Sequence, residues 1–138
     1  MRVLSALAIA LVGCAPSGDA WPGTYEGTLH VTRTPCDGGS PTESTLDGEL
    51  ILFRNHQGIL AIDDGCAILL RERSQSRAEV LPIECHGALD GTGGGLFRYT
   101  GGALVRSGDE LDASHSARHE TESGLCTLVT TRFLGLRR

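Results

Sequence analysis

Two stretches decide the fold: Thr24-Tyr25-Glu26-Gly27-Thr28-Leu29-His30-Val31-Thr32-Arg33-Thr34-Pro35-Cys36, and Leu125-Cys126-Thr127-Leu128-Val129-Thr130-Thr131-Arg132-Phe133-Leu134-Gly135-Leu136. Each is rich in Thr, Val and Leu and alternates in character, which is the pattern of a β-strand. Laid antiparallel with Cys36 opposite Cys126, they set Leu29 against Phe133, Val31 against Thr131, Gly27 against Gly135 and Tyr25 against Arg137. Successive side chains point to opposite faces of a strand. This register therefore gathers Tyr25, Leu29, Val31, Val129 and Phe133 on a core side. Glu26, Thr28, His30 and Thr32 fall on the other side beside Thr130 and Arg132. A disulfide and a hydrophobic face follow from one alignment.

The same pattern repeats between these two stretches, punctuated by Gly, Asp-Gly and Ser-rich turns. Eight strands are expected, near residues 24–36, 45–54, 58–62, 66–72, 78–86, 95–106, 109–119 and 125–136. Helical periodicity is poor, and the best helix candidate, 109–119, reads equally well as a strand. The expected fold is all-β: an antiparallel eight-stranded meander, with a closed barrel preferred over a β-sandwich. At 138 residues there is room for one core. A hairpin centred on Ser74–Arg77 sets Cys66 opposite Cys85. Four cysteines permit three pairings, and 36–126 with 66–85 is the one that the strand pattern favours.

The fifth cysteine has a different reading. Residues 1–13 run from Arg2 through the apolar stretch Val3–Val12 to Gly13, the order of a secretion signal. Leu11-Val12-Gly13-Cys14 resembles the lipobox of bacterial lipoproteins, in which cleavage precedes an acylated Cys. The resemblance implies a signal peptide over 1–13, a lipidated Cys14 with a tether over 14–22, and one domain over 23–138. It also implies attachment to the membrane through the N-terminal lipid, in a bacterial envelope. Ala15, rather than Asp, follows the Cys, which favours the outer membrane over the inner one.

All twelve basic residues are Arg, against seventeen acidic ones. The negative balance argues against nucleic acid, whose binding needs a basic face. In a meander, alternate loops emerge at opposite ends. One end is expected to hold Asp37, Glu43, Asp63, Asp64, Asp90, Glu120 and Glu122, with no Arg in its loops. The other is expected to hold Arg54, Arg71, Arg73, Arg77, Arg106, Arg137 and Arg138 against Glu72, Asp109 and Glu110. The tether enters at the basic end, so that end is expected to face anionic lipid. The acidic end would then meet a cationic protein, such as a hydrolase.

Catalytic chemistry is thin. His115 and His119, with Asp112, could hold a metal on a helix, but on a strand the two imidazoles stand about 13 Å apart. Asp63-Asp64-Gly65 with Asp90 lacks the ligand spacing of a calcium loop and reads as a turn. Gly91 and Gly93-Gly94-Gly95 lack the Lys and helix of a phosphate loop. No Gly-x-Ser-x-Gly elbow occurs. No enzyme, metal or cofactor is expected. Trp21-Pro22-Gly23-Thr24-Tyr25-Glu26-Gly27 resembles, in altered order, the Gly-x-Trp opening of lipocalin-like barrels. Small disulfide-bonded inhibitor lipoproteins have a similar outline, although no inhibitor motif carries over. The expected function is a non-catalytic binding or interaction module. Its alternatives are a carrier of a small apolar ligand and a structural envelope protein. With only six aromatic residues and an interior of Leu, Val and Ile, a filled core is expected.

Overall fold

The alternation that marks the first and last stretches yields nine strands in the computed structural model, which describes residues 19–86 and 95–138. They are β1 Gly23–Pro35, β2 Thr42–Arg54, β3 Leu60–Asp63, β4 Ala67–Glu72 and β5 Arg77–Val80, followed by β6 Ile83–His86, β7 Gly95–Ser107, β8 Glu110–Thr121 and β9 Cys126–Arg137. Cys14 and its lipobox, Asp90, Gly91, Gly93 and Gly94 lie outside the described residues. All pairings are antiparallel, in the order β5-β4-β3-β2-β1-β9-β8-β7-β6. A further pairing of β5 with β7, Arg77 opposite Val105, joins the two arms into a ring of hydrogen bonds.

The β1–β9 register is the expected one: Tyr25 faces Arg137, Gly27 faces Gly135, Leu29 faces Phe133 and Val31 faces Thr131. Beyond the last rung, Cys36 N–H donates to Cys126 O at 3.1 Å, and the two cysteines are bonded with Cα atoms 5.4 Å apart. Their sequence separation of 90 makes this the long-range closure of the chain. Removing that loop freedom from the unfolded state stabilises the fold by about 4–5 kcal/mol.

Two expectations of the strand pattern need correction. The single strand expected over 78–86 is two, β5 and β6, separated by Leu81-Pro82. Proline has no N–H to give to a ladder, so the strand breaks there and resumes along β7 in the same register, with Ile83 opposite Tyr99. The Cys66–Cys85 bond is present, with Cα atoms 6.1 Å apart, but it is not a rung of the Ser74–Arg77 hairpin. That hairpin pairs Leu70 with Val80, one residue out of the expected register, and Cys85 pairs with Phe97. The disulfide instead joins the start of β4 to β6 where no ladder connects them. The strand expected near 109–119 is present as β8, and the alternative helical reading of that stretch does not hold.

Large side chains concentrate toward one end of the ring. Tyr25, Leu52, Leu60, Leu104, Leu111 and Phe133 are fully buried there. Trp21, assigned to the tether by its position, joins them at 2% exposure. Tyr25 Oη donates to Trp21 O at 2.9 Å, Arg137 Nη1 donates to Ala20 O at 2.9 Å, and the Arg106 guanidinium lies 5.6 Å from the Trp21 ring centre. The chain before β1 is thus a plug across this end. In β7 a bulge between Tyr99 and Gly101 inserts an extra residue. It lets Tyr99 and Leu104, an odd number of positions apart, both point inward.

Gly27 shows how tightly β1 and β9 approach: a Cβ there would stand 2.0 Å from Leu134 O and 2.5 Å from Gly135 Cα. Both obstacles are backbone, so neither can rotate away. Gly27→Ala is expected to cost about 2 kcal/mol or more by overpacking. That corresponds to a Tm lower by roughly 8 °C for a domain of this size, measured by thermal unfolding under circular dichroism. An unchanged Tm would refute the close approach.

Candidate functional site

The other end of the ring is not filled. Inward positions there carry smaller or polar side chains: Val31 from β1, Ala117 and two histidines from β8, and Val129 and Thr131 from β9. With Leu29, Leu50, Ile62, Phe97 and Tyr99 they enclose a cavity of about 460 Å³. The expected filled core therefore holds for one end only. Its physical reason is that inward positions at this end are taken by Val31, Ala117, Val129 and Thr131, which are too small to fill the space across the ring.

Four rings furnish the cavity. His119 stacks on Phe97, with centroids 4.0 Å apart and planes at 10°, and Tyr99 meets His115 edge-on at 5.6 Å. His115 is 8% exposed, and its Nδ1 is buried without a hydrogen-bond partner, as is Nε2 of His119. Because β8 is a strand, the two imidazoles are too far apart to share an ion. Among the described residues no group of His, Cys, Asp or Glu has the arrangement of a metal site.

At the rim, Asp63 ends β3 and Asp64 opens the turn to Cys66, closed by Asp64 N–H donating to Cys66 O at 3.1 Å with Gly65 at φ +78°. This is the turn that Asp-Gly favours. The residue Asp64 is exposed as a whole, yet its carboxyl reaches back to the cavity, where Tyr99 Oη donates to Oδ2 at 3.4 Å. Partial desolvation raises the Asp64 pKa above the usual carboxylate range, a shift the Tyr99 hydrogen bond only partly offsets. Desolvation, reinforced by the Asp64 charge, pushes the Tyr99 hydroxyl up. Arg33 also lines the cavity and has an interaction of its own.

The other acidic-end residues do not converge on a site. Asp37 accepts from Gly39 N–H at 3.0 Å in the β1–β2 turn, Glu43 is exposed on β2 opposite Thr32, and Glu122 is exposed in the β8–β9 turn. Glu120 pairs with Arg118 at 2.8 Å. At the basic end most of the arginines are engaged within the domain. Arg54 binds Asp19 and Glu72, and these hydrogen bonds, Glu72 first, raise its pKa further. Arg73 pairs with Glu79 at 2.8 Å, Arg137 with Asp109 at 3.1 Å, and Arg138 with Glu26 and Glu49. Arg106 donates to Gln75 O and Gly108 O, each at 2.8 Å, leaving Arg71 and Arg77 as exposed charges.

Sequence reasoning weighed His115 and His119 only as metal ligands, and it missed Phe97, Tyr99 and Arg33 as cavity residues. The inward alternation of β8, small residue then His, is the signal that marks the two histidines as cavity residues.

Burial holds the His115 pKa down at about 4, because an imidazolium would lose its hydration there. An unfolded His takes up its proton near 6.5. Between those values the unfolded chain binds more protons, so stability falls as pH drops through the window from about 6.5 to about 4, by up to about 3 kcal/mol. Asp64 acts oppositely, favouring the folded state at low pH and losing that contribution as pH rises through its raised pKa. Urea unfolding from pH 7 to 4.5 is therefore expected to show a shallower loss of stability in His115→Gln than in the parent protein. Parallel curves would refute the assignment.

No protein-family model, curated protein or solved structure matches this chain.

Proposed function

We propose that this protein is a non-catalytic binding module, held at a bacterial envelope by a lipid on Cys14, whose site is the interior of a small lipocalin-like barrel. The observation that carries the reading is the cavity of about 460 Å³ at one end of the strand ring. Its volume lies in the range of small-molecule sites, and its lining is apolar with a few convergent polar groups. This favours the carrier of a small ligand over a protein partner docking on the acidic loops, since those carboxylates stand apart while the cavity side chains converge. The ion pairs at the basic end argue the same way, because they leave few free charges there for a lipid surface.

The test is fluorescence titration of the purified protein with N-phenyl-1-naphthylamine, a neutral aromatic probe of suitable size. Saturable one-to-one binding in the micromolar range is expected. Ala117→Phe, which fills the cavity from the middle of β8, is expected to weaken it at least tenfold with the far-ultraviolet circular dichroism unchanged. Absence of saturable binding, or equal binding by the filled variant, would overturn the reading.

A further inference from the structure

Two polar groups at the cavity, the Asp64 carboxyl and the His115 imidazole, lack a full set of partners, and the carboxyl calls for a ligand that donates hydrogen bonds and brings positive charge. Asp64 reaches the cavity with a single long hydrogen bond from Tyr99 Oη, and among the described residues it has no cationic partner. A carboxylate partly withdrawn from water without such a partner carries a desolvation cost, and a bound cation offsets it. Independently, His115 lies inside the same cavity with its Nδ1 unpartnered and more than nine-tenths of its surface buried. Around both stand Phe97 and Tyr99, whose π-systems attract cations at their faces, with the His119 ring stacked on Phe97. Leu29, Leu50 and Val129 complete the wall with apolar surface.

We propose that the cavity takes a small organic cation, an ammonium group carried on an apolar body, with Asp64 as its counter-ion. This rests on the cavity being the ligand site. The ammonium donates to the Asp64 carboxylate at the rim, and the apolar body extends along Leu29, Leu50 and Val129. The uncharged imidazole of His115 adds no competing positive charge at the neutral pH of the test, consistent with its depressed pKa. The turn Asp64-Gly65-Cys66, fixed by the Cys66–Cys85 bond, holds the carboxylate in place before any ligand arrives. Arg33 on the same wall makes a carboxylate ligand the opposing possibility.

Isothermal titration calorimetry of the purified protein at pH 7.5 with octylammonium, 1-octanol and octanoate separates these cases. Octylammonium is expected to bind at least tenfold more tightly than octanol, with octanoate the weakest. Asp64→Asn is expected to bring octylammonium to within about threefold of octanol in the same variant, while Asp64→Glu keeps the preference. Octanol or octanoate binding as tightly as the ammonium would overturn the cation assignment and leave the cavity reading standing, as would a preference that survives Asp64→Asn. No binding by any of the three probes, together with no binding of N-phenyl-1-naphthylamine, would overturn both.

Discussion

The antiparallel seam between β1 and β9 is the constraint on which the rest of the molecule depends. It joins strands from opposite ends of the described chain over eleven paired positions, from Tyr25 with Arg137 to Pro35 with Thr127. Loop closure over such a separation is entropically unfavourable and must be met by contacts that form together. Three kinds coincide here. Tyr25 and Phe133 are both fully buried on the inner face, Gly27 and Gly135 let the backbones approach, and Cys36–Cys126 closes one end. A slip of one residue would turn every inward side chain outward, so the seam has one workable register. The same register carries Arg137 to the carbonyl of Ala20, which fixes the plug bearing Trp21.

From that seam follows the division of the interior into a filled end and an open one. Near the plug the strands present Tyr25, Leu52, Leu104, Leu111 and Phe133. One to three inward positions farther along, β1, β8 and β9 present Val31, Ala117, Val129 and Thr131. A ring of nearly constant circumference cannot contract to follow the smaller side chains, because its hydrogen-bonded strands stay about 4.8 Å apart. Space is left where the residues are small. The polar groups there are incompletely partnered by the protein: His115 Nδ1 is buried without a hydrogen bond, and the Asp64 carboxyl has the one from Tyr99.

The seam was legible in the sequence because two unrelated signals, the cysteine positions and the alternation of Leu29, Val31 and Phe133, demand one alignment. The Cys66–Cys85 pairing had no such second constraint. The Ser74–Arg77 hairpin that suggests it has its rungs one residue away from the register the pairing needs, and the bond lies off that hairpin altogether. Pro82 announced the break between β5 and β6, yet the β-rich residues on both sides concealed it, since both segments continue one register along β7. The cavity was not legible because emptiness depends on which small residues face each other across the ring. That is a property of strands brought together rather than of any one strand. Counting charges loop by loop failed at the basic end for the same reason, as Glu26, Glu49 and Glu79 sit within strands and meet Arg138 and Arg73 across the sheet.

Those cross-strand pairs also determine where the net negative charge of the chain is expressed. Arg54, Arg73, Arg137 and Arg138 each offset carboxylates at or near the plugged end. Among the described residues, Asp37, Glu43, Asp63, Asp64 and Glu122 have no ion-pair partner, and all belong to the end where the cavity opens. Surface carboxylates this dispersed bind nothing tightly on their own, because water screens each of them. Their summed field still acts at the mouth of a low-dielectric pocket, where it raises the local concentration of cations and lowers that of anions. Of the set, Asp63 and Asp64 line the pocket, and Asp64 is the one whose carboxyl pKa is pushed up by burial. The dispersed charges therefore bias which molecules approach, and Asp64 decides which of them is held.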